Sequence, residues 1–139
     1  MTANAIDPNE TTAARRQRGE RIAAELSGDS NPALLEVLDR EFPFLANAVT
    51  SYAVGDVLAR TVLDVRTRQL ALVAAFAALG LGDFIKLHGG YALNAGVSEE
   101  ELKEIVYLTT IPAGFPRAIQ ASRAVAELLA SRERGLQRG

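Results

Sequence analysis

Length, charge and cysteine content narrow the classes of protein to which this chain can belong. It has 139 residues, 15 basic and 17 acidic side chains for a net charge of −2, no cysteine and a single histidine, His88. We expect one domain, and neither nucleic acid nor anionic lipid as a partner, because no excess of charge would attract them. Without cysteine there is no disulfide, no thiolate nucleophile and no thiolate metal site.

The chain carries no segment typical of membrane insertion or export. Its longest apolar run, residues 70–82, is shorter than the roughly 20 residues that span a bilayer. Residues 1–10 are polar and lack the apolar core of a signal peptide. These features predict a cytoplasmic protein that does not bind a membrane, with residues 1–10 as a flexible N-terminal tail.

Start and stop signals divide the first half of the chain into three helices. The predicted helices are residues 12–26, a helix opened by Asn31 and Pro32 that runs to about Arg40, and a helix opened by Pro43. The first is rich in alanine, arginine and glutamate, which favour helix, and it ends at the breakers of residues 27–30. Gly55 is expected to interrupt the third helix.

The second half of the chain carries clearer signals. The predicted helices are residues 65–79 between Asp64 and Gly80, residues 83–94 before Gly96, a helix from Ser98 to Pro112, and a last helix opened by Pro116. Ser98 and Glu101 have the spacing of a capping box, in which each side chain binds the backbone N–H of the other residue. Residues 132–139 are charged and contain glycine, so we expect a C-terminal tail there.

No stretch alternates with the period of two that a β-strand shows, so the sequence predicts an all-α fold. The architecture that follows is a single-domain helical bundle of about six helices over residues 11–131. Residues 70–79 are apolar on nearly every side of their helix, and such a helix has to be covered all round. We therefore expect a homo-oligomer in which partner subunits supply part of that cover.

His88 is the first candidate for proton chemistry, since its unperturbed pKa of about 6.5 lies nearest to neutral pH. It lies at helical spacing with Phe84 and Tyr91, which is also the pattern of a core histidine with a satisfied hydrogen bond. Gly89 and Gly90 follow it directly, and glycine is unfavourable in the middle of a helix. The two glycines indicate the close approach of another helix or of a ligand.

Four further polar side chains are candidates for substrate binding: Gln69, Tyr107, Arg117 and Tyr52. Gln69 lies in an apolar stretch, where an amide binds either backbone or substrate. Arg117 follows Pro116 and could meet an anion at a helix N-terminus, although an arginine at such a position is more often an ordinary surface residue. The tyrosines are more typical of the rim of a core than of catalytic acids. With one histidine and no cysteine, the chain shows no metal-binding motif, and we predict no metal.

Four short segments of the second half form a recognisable series. They are LDVRTR at 63–68, AALG at 77–80, ALNAGVSEEE at 92–101 and AGFP at 113–116. The most specific is ALNAGVSEEE, with a histidine, His88, six residues before its asparagine. Together these segments resemble the carboxymuconolactone decarboxylase family, and the resemblance covers roughly residues 15–130.

The resemblance implies an alkylhydroperoxidase-like helical fold that assembles into trimers or hexamers. One branch of the family uses a C-x-x-C pair beside a histidine, which a chain without cysteine lacks. The other branch is cofactor-free and decarboxylates a γ-carboxylated unsaturated lactone, and His88 matches its histidine. Family members often carry glutamate where Gln69 stands and other residues at Gly89 and Gly90. These departures leave room for a larger substrate than the one typical of the family.

The resemblance therefore implies a lyase that acts on a 4-carboxymuconolactone-like substrate without a cofactor. Loss of CO₂ would leave a dienolate on the lactone, and a proton then returns to carbon. His88 is expected to donate to the oxyanion or to carry that proton, with Gln69 and Tyr107 polarising the substrate. Arg117 is expected to anchor a second carboxylate. Two alternatives stay open: the same fold isomerises, cyclises or hydrolyses a polyketide-like intermediate, or the chain is a non-catalytic oligomeric binding protein.

Overall fold

The structure is a computed structural model that describes residues 7–28 and 33–139. Every regular element in these two ranges is helical, which confirms the all-α prediction for the described residues. The chain divides into two compact units, Met1–Leu63 and Asp64–Gly139, which are described separately, and the expectation of a single domain stays a prediction.

In residues 7–28 and 33–63, the first unit contains three α-helices and a π-helix. Its described elements are α1 Thr12–Ser27, α2 Ala33–Glu41, α3 Pro43–Ala48 and the π-helix Val49–Leu58, which continues α3. The Thr11 side chain caps the start of α1 by accepting the Ala14 N–H, and Gly28 ends the helix in a left-handed conformation with φ 63°. Pro43 opens α3 as predicted. The predicted opening of α2 at Asn31 and Pro32 lies outside the described residues.

The predicted interruption at Gly55 is wrong. The backbone continues through Gly55 as a π-helix, in which each N–H binds the carbonyl five residues back. Gly55 is buried because α1 crosses here, and a Cβ atom at this position would clash with the Arg15 carbonyl oxygen. A Cβ atom at Gly19 of α1 would likewise clash with the Thr50 carbonyl oxygen. One glycine from each helix therefore lets the two backbones approach closely.

A buried carboxylate ties α1 to the π-helix. The Asp56 side chain is 3% exposed and accepts two hydrogen bonds of 3.0 Å from Arg15 Nε and one of 3.1 Å from Arg18 Nη2. Arg18 also donates to the Gly55 carbonyl oxygen at 2.6 Å and pairs with Glu10. The hydrogen bond from Arg15 holds the pKa of Asp56 below its usual value, although burial opposes the shift. Two arginines of α1 thus pair with the buried charge of Asp56.

The second unit contains three helices packed around one core. The helices are α4 Val65–Leu79, α5 Gly82–Asn94 and α6 Glu99–Gln137. The buried core side chains come from all three helices and from the turn before α6: Val73, Ala77, Ile85, Ala92, Val97, Leu102, Val106, Ala121, Ala124 and Val125. Because α4 and α5 pack against each other and against α6, polar side chains on their inner faces are brought together.

Capping residues set both ends of α4 and the start of α6 as the sequence predicts. At the start of α4, the Asp64 side chain accepts the Thr67 N–H at 2.7 Å, and at its end Gly80 is left-handed with φ 74°. Ser98 and Glu101 form both hydrogen bonds of the capping box at the start of α6, of 3.1 and 2.8 Å. These three helix boundaries therefore lie at the capping residues that the sequence predicts.

The last helix combines the two helices predicted for this region. α6 is a 39-residue element with one non-helical residue, Gly114 (φ 82°, ψ 175°), between Pro112 and Pro116. The predicted stop and restart at the two prolines thus form a break within α6. Helical structure continues to Gln137, although the sequence predicts a tail from residue 132. Arginine, glutamate, leucine and glutamine favour helix and outweigh the single glycine in this stretch.

The apolar helix α4 is covered on one side within its unit. Gln69, Val73 and Ala77, spaced four residues apart, are buried, whereas Ala71 and Ala75 are exposed. The cover that we expect from partner subunits stays a prediction.

Within residues 7–28 and 33–139, no helix combines the length and the apolar character that crossing a bilayer requires.

Candidate functional site

His88 and Gln69 form a buried hydrogen-bonded pair between α5 and α4. His88 Nδ1 lies 2.8 Å from Gln69 Oε1. Gln69 is 0% exposed and His88 is 9% exposed. Both residues are site candidates from the sequence, and the structure places their side chains in direct contact.

Helical spacing turns both side chains toward the core. On α4, Gln69 shares its face with Val73 and Ala77, four and eight residues later. On α5, His88 shares its face with Ile85, three residues earlier. Polar groups on such faces lose contact with water and need partners inside the protein. The hydrogen bond between the amide and the imidazole meets part of that need.

Aromatic rings border the imidazole. Phe76 of α4 stacks on His88 with ring centroids 5.2 Å apart, and Tyr91 of α5 meets the imidazole edge-on at 5.4 Å. Phe84 extends the stack by packing on Phe76 at 5.3 Å. One amide and two aromatic rings therefore contact the imidazole, a setting with low polarity.

Burial keeps both titratable groups of the site uncharged at neutral pH. Loss of hydration lowers the pKa of His88 from 6.5 to about 4, because the imidazolium is harder to desolvate than the neutral ring. Burial raises the pKa of the Tyr91 phenol, so it keeps its proton. The site thus contains a neutral imidazole and a neutral phenol, which a bound anion would meet without repulsion from a resident negative charge.

Gly89, the first of the two glycines after His88, makes room for a neighbouring helix, whereas a side chain at Gly90 would make an ordinary contact. A Cβ atom at Gly89 would lie 2.7 Å from Leu128 Cδ2, and one at Gly90 would lie 3.8 Å from Leu128 Cδ1. Of the two alternatives that the sequence left open, helix or ligand, the structure places α6 at this position. The glycines therefore give no support to the expectation of a larger substrate pocket.

The other three predicted substrate-binding residues have different surroundings. Arg117 Nη1 donates to the Leu79 carbonyl oxygen at 3.0 Å and so caps the C-terminal end of α4. This end lies roughly 15 Å along the helix axis from Gln69, at 1.5 Å per residue. Tyr107 in α6 is 64% exposed, and Tyr52 in the first unit is 60% exposed. Arg117 therefore serves a helix end, and both tyrosines are largely exposed.

Phe76 and Tyr91 are the site contacts that the sequence analysis did not assign. Tyr91 lies three residues after His88, a spacing that places both on one helix face and that is visible in the sequence. Phe76 lies in a different helix, and only the packing of α4 against α5 shows its contact with the imidazole.

Metal ligands are not gathered around His88. Across the part of the chain that the structure describes, no three His, Cys, Asp or Glu side chains lie close enough together to hold a metal ion. The amide and the aromatic rings suit an organic ligand better than a hard cation, which prefers several oxygen ligands. The expectation of a reaction without metal or cofactor stays a prediction.

Comparison with known proteins relates this site to a family. The sequence profile of the carboxymuconolactone decarboxylase family matches residues 43–127, which include Gln69 and His88. The chain is 30% identical over 116 residues to the 4-carboxymuconolactone decarboxylase of Acinetobacter baylyi, an alignment that covers 82% of this chain and 86% of that protein. It is 29% identical over 94 residues to an uncharacterized protein of Methanocaldococcus jannaschii, covering 68% and 87% of the two chains. The chain therefore belongs to the carboxymuconolactone decarboxylase family.

Proposed function

We propose that this protein is a cofactor-free carbon–carbon lyase that removes CO₂ from a carboxylated unsaturated lactone similar to 4-carboxymuconolactone. Membership of the family and the likeness to a decarboxylase support lyase chemistry. The observation that carries the proposal is the buried His88–Gln69 pair, which combines one titratable ring with one amide in an aromatic setting. The cytoplasm is the compartment that we expect.

The chemistry of the substrate explains why few polar groups suffice. The carbon that bears the departing carboxylate is conjugated through a double bond to the lactone carbonyl. When the bond to the carboxylate breaks, its electron pair moves toward that carbonyl oxygen and gives a dienolate, so the substrate is its own electron sink. The protein has to desolvate the carboxylate, donate a hydrogen bond to the dienolate oxygen and deliver a proton to carbon.

His88 is the group that would deliver the proton. In the protein without substrate, the imidazole of His88 is neutral at pH 7, since its pKa is about 4. A carboxylate bound nearby favours the imidazolium and raises this pKa, so substrate binding would draw one proton from solvent. After CO₂ leaves, the imidazolium gives the proton to the dienolate carbon and becomes neutral again. One carboxylate and one proton are thereby converted to CO₂ and a C–H bond.

Gln69 is the substrate-binding residue that the geometry supports best, because its amide contacts the imidazole directly. The Tyr91 phenol is a further hydrogen-bond donor next to the ring. For Tyr52, Tyr107 and Arg117, contact with substrate stays a prediction from the sequence and its resemblance to the family.

We also propose that the protein assembles as a trimer or hexamer. The support comes from large apolar side chains exposed on α4 and α6: Leu79, Leu108, Ile111, Phe115 and Ile119. Extended apolar surfaces of this kind mark sites of protein association. Only one side of α4 is buried within its unit. We propose that a second copy of the chain packs against the other side.

Incubation of the purified protein with 4-carboxymuconolactone tests the reaction. CO₂ release and lactone absorbance are measured together, and heat-inactivated protein corrects for spontaneous loss of CO₂. We expect CO₂ and decarboxylated lactone in equal amounts. Turnover of the lactone without CO₂ would favour the isomerase, cyclase or hydrolase alternative, and an unchanged lactone would favour a binding protein.

A further inference from the structure

One half of the Gln69 amide has a partner in the protein and the other half does not. Gln69 Oε1 bonds His88 Nδ1, whereas no atom in residues 7–28 and 33–139 accepts a hydrogen bond from Gln69 Nε2. The residue is 0% exposed. A buried donor without an acceptor is costly and uncommon in folded proteins. This N–H group is therefore a candidate for binding an atom of a ligand.

The same amide fixes the position of the proton on His88. A carbonyl oxygen accepts hydrogen bonds and never donates them, so the ring nitrogen that faces it, Nδ1, has to carry hydrogen. In a neutral imidazole, Nε2 then holds a lone pair and cannot donate. Until the ring takes up a proton, a hydrogen bond to an oxygen of the incoming substrate therefore has to come from another group.

We propose that Gln69 performs two linked tasks: its Oε1 holds His88 in the Nδ1–H tautomer, and its Nε2–H binds a carboxylate, carbonyl or enolate oxygen of the substrate. This inference rests on the proposed decarboxylation. Gln69 stabilises the dienolate oxygen, while His88 Nε2 stays available to take up the proton and return it to carbon. The pair thus selects ligands that present an acceptor oxygen to an amide N–H.

The two tasks are separable by substitution. Gln69→Glu keeps an oxygen that accepts from Nδ1–H, but it removes the donor and adds a negative charge beside the imidazole. Gln69→Met removes both the acceptor and the donor at similar size. Gln120 is an exposed glutamine of α6, so Gln120→Glu is the matched control for the change in charge.

The tautomer is directly measurable, because His88 is the single histidine of the chain. In untagged protein labelled with ¹⁵N-histidine, the two ring nitrogens give separate resonances, and at pH 7 we expect the proton on Nδ1. Gln69→Glu should keep it there and raise the His88 pKa by about 1–3 units, as an adjacent carboxylate does. Gln69→Met should lose the fixed tautomer, and Gln120→Glu should change neither property. A proton on Nε2 in the wild type would overturn the assignment.

The donor is tested with γ-carboxy-γ-butyrolactone, which lacks the ring double bond and so cannot lose CO₂ by this route. Titration calorimetry should show an affinity loss of about tenfold or more in Gln69→Glu, because repulsion replaces a hydrogen bond to a charged or polar oxygen. Gln120→Glu should bind like the wild type. Equal affinity in Gln69→Glu, or no binding to the wild type, would overturn the donor role. Neither measurement needs turnover, so this result is distinguishable from a failure to release CO₂.

Discussion

Burial decides whether the His88 imidazole is charged. The loss of hydration that lowers its pKa to about 4 leaves the free imidazole neutral at pH 7. In the proposed reaction the ring has to gain a proton before it can return one to carbon. In the protein without substrate, the fraction of His88 that is protonated therefore limits productive binding.

This limit predicts a pH profile. We expect log kcat/KM to fall by about one per pH unit between roughly pH 5 and 8, because the protonated fraction of His88 in the free enzyme falls tenfold per unit above its pKa. The profile of kcat should stay flat to higher pH, since a bound carboxylate raises the pKa of the ring. Steady-state kinetics at constant ionic strength measures both. A kcat/KM without pH dependence over this range would contradict proton uptake by His88.

Burial of His88 also couples folding to pH. The pKa is about 6.5 in the unfolded chain and about 4 in the folded one, so between these values the unfolded state binds more protons. Stability should therefore fall by about 3 kcal/mol as the pH is lowered from 6.5 to 4, at 1.36 kcal/mol per pKa unit. Urea unfolding of the wild type and His88→Gln measures this, since the carboxylates titrate alike in both. If the free energy of unfolding changed with pH alike in the wild type and His88→Gln, the His88 ring would not be desolvated in the folded protein.

At the scale of helices, the contact of α1 with the π-helix depends on the absence of a side chain. Gly19→Ala should destabilise the protein by about 2 kcal/mol, because its Cβ atom would meet the Thr50 backbone carbonyl and overpack the contact. Gly135→Ala, also in a helix but with nothing within 4 Å of its Cβ position, should stabilise by about 0.5–1 kcal/mol. Chemical unfolding of both variants gives the comparison. Equal effects would contradict the close approach.

Helix ends were the part of the fold that the sequence predicted best, because their causes are local. The Asp64 cap, the left-handed Gly80 and the Ser98–Glu101 box each depend on residues a few positions apart. The π-helix was not predicted, because Gly55 is typical of a break in a sequence. In the structure its missing side chain serves a contact with α1, which no local pattern records.

The sequence predicted Gln69 and His88 as candidate site residues, but it did not predict that their side chains contact each other. Gln69 and His88 stand out as polar side chains in apolar helices, but their contact joins residues 19 positions apart and depends on how α4 is rotated against α5. Arg117 is a similar case. Its position after Pro116 left an anion site and an ordinary surface arginine both open, and no local pattern indicated that its long side chain reaches the Leu79 carbonyl oxygen and caps α4.

At the scale of the whole molecule, the exposed apolar side chains predict assembly. We expect light scattering to give the mass of a trimer or hexamer for the wild type, and a smaller species for Ile111→Glu and Phe115→Glu, because both side chains are exposed on α6 and a charge there opposes burial. Gln120→Glu on the same helix should leave the mass unchanged. A wild-type protein with the mass of one chain would contradict the proposed oligomer.

Whether His88 carries the proton of a decarboxylation is measured by the rate of CO₂ release from 4-carboxymuconolactone by the wild type and by His88→Gln. We predict that kcat falls by about 10²–10⁴ in His88→Gln, the contribution typical of a positioned acid or base. Circular dichroism should show an unchanged helix content, and Gln120→Glu should react like the wild type. Undiminished CO₂ release by His88→Gln would contradict the account.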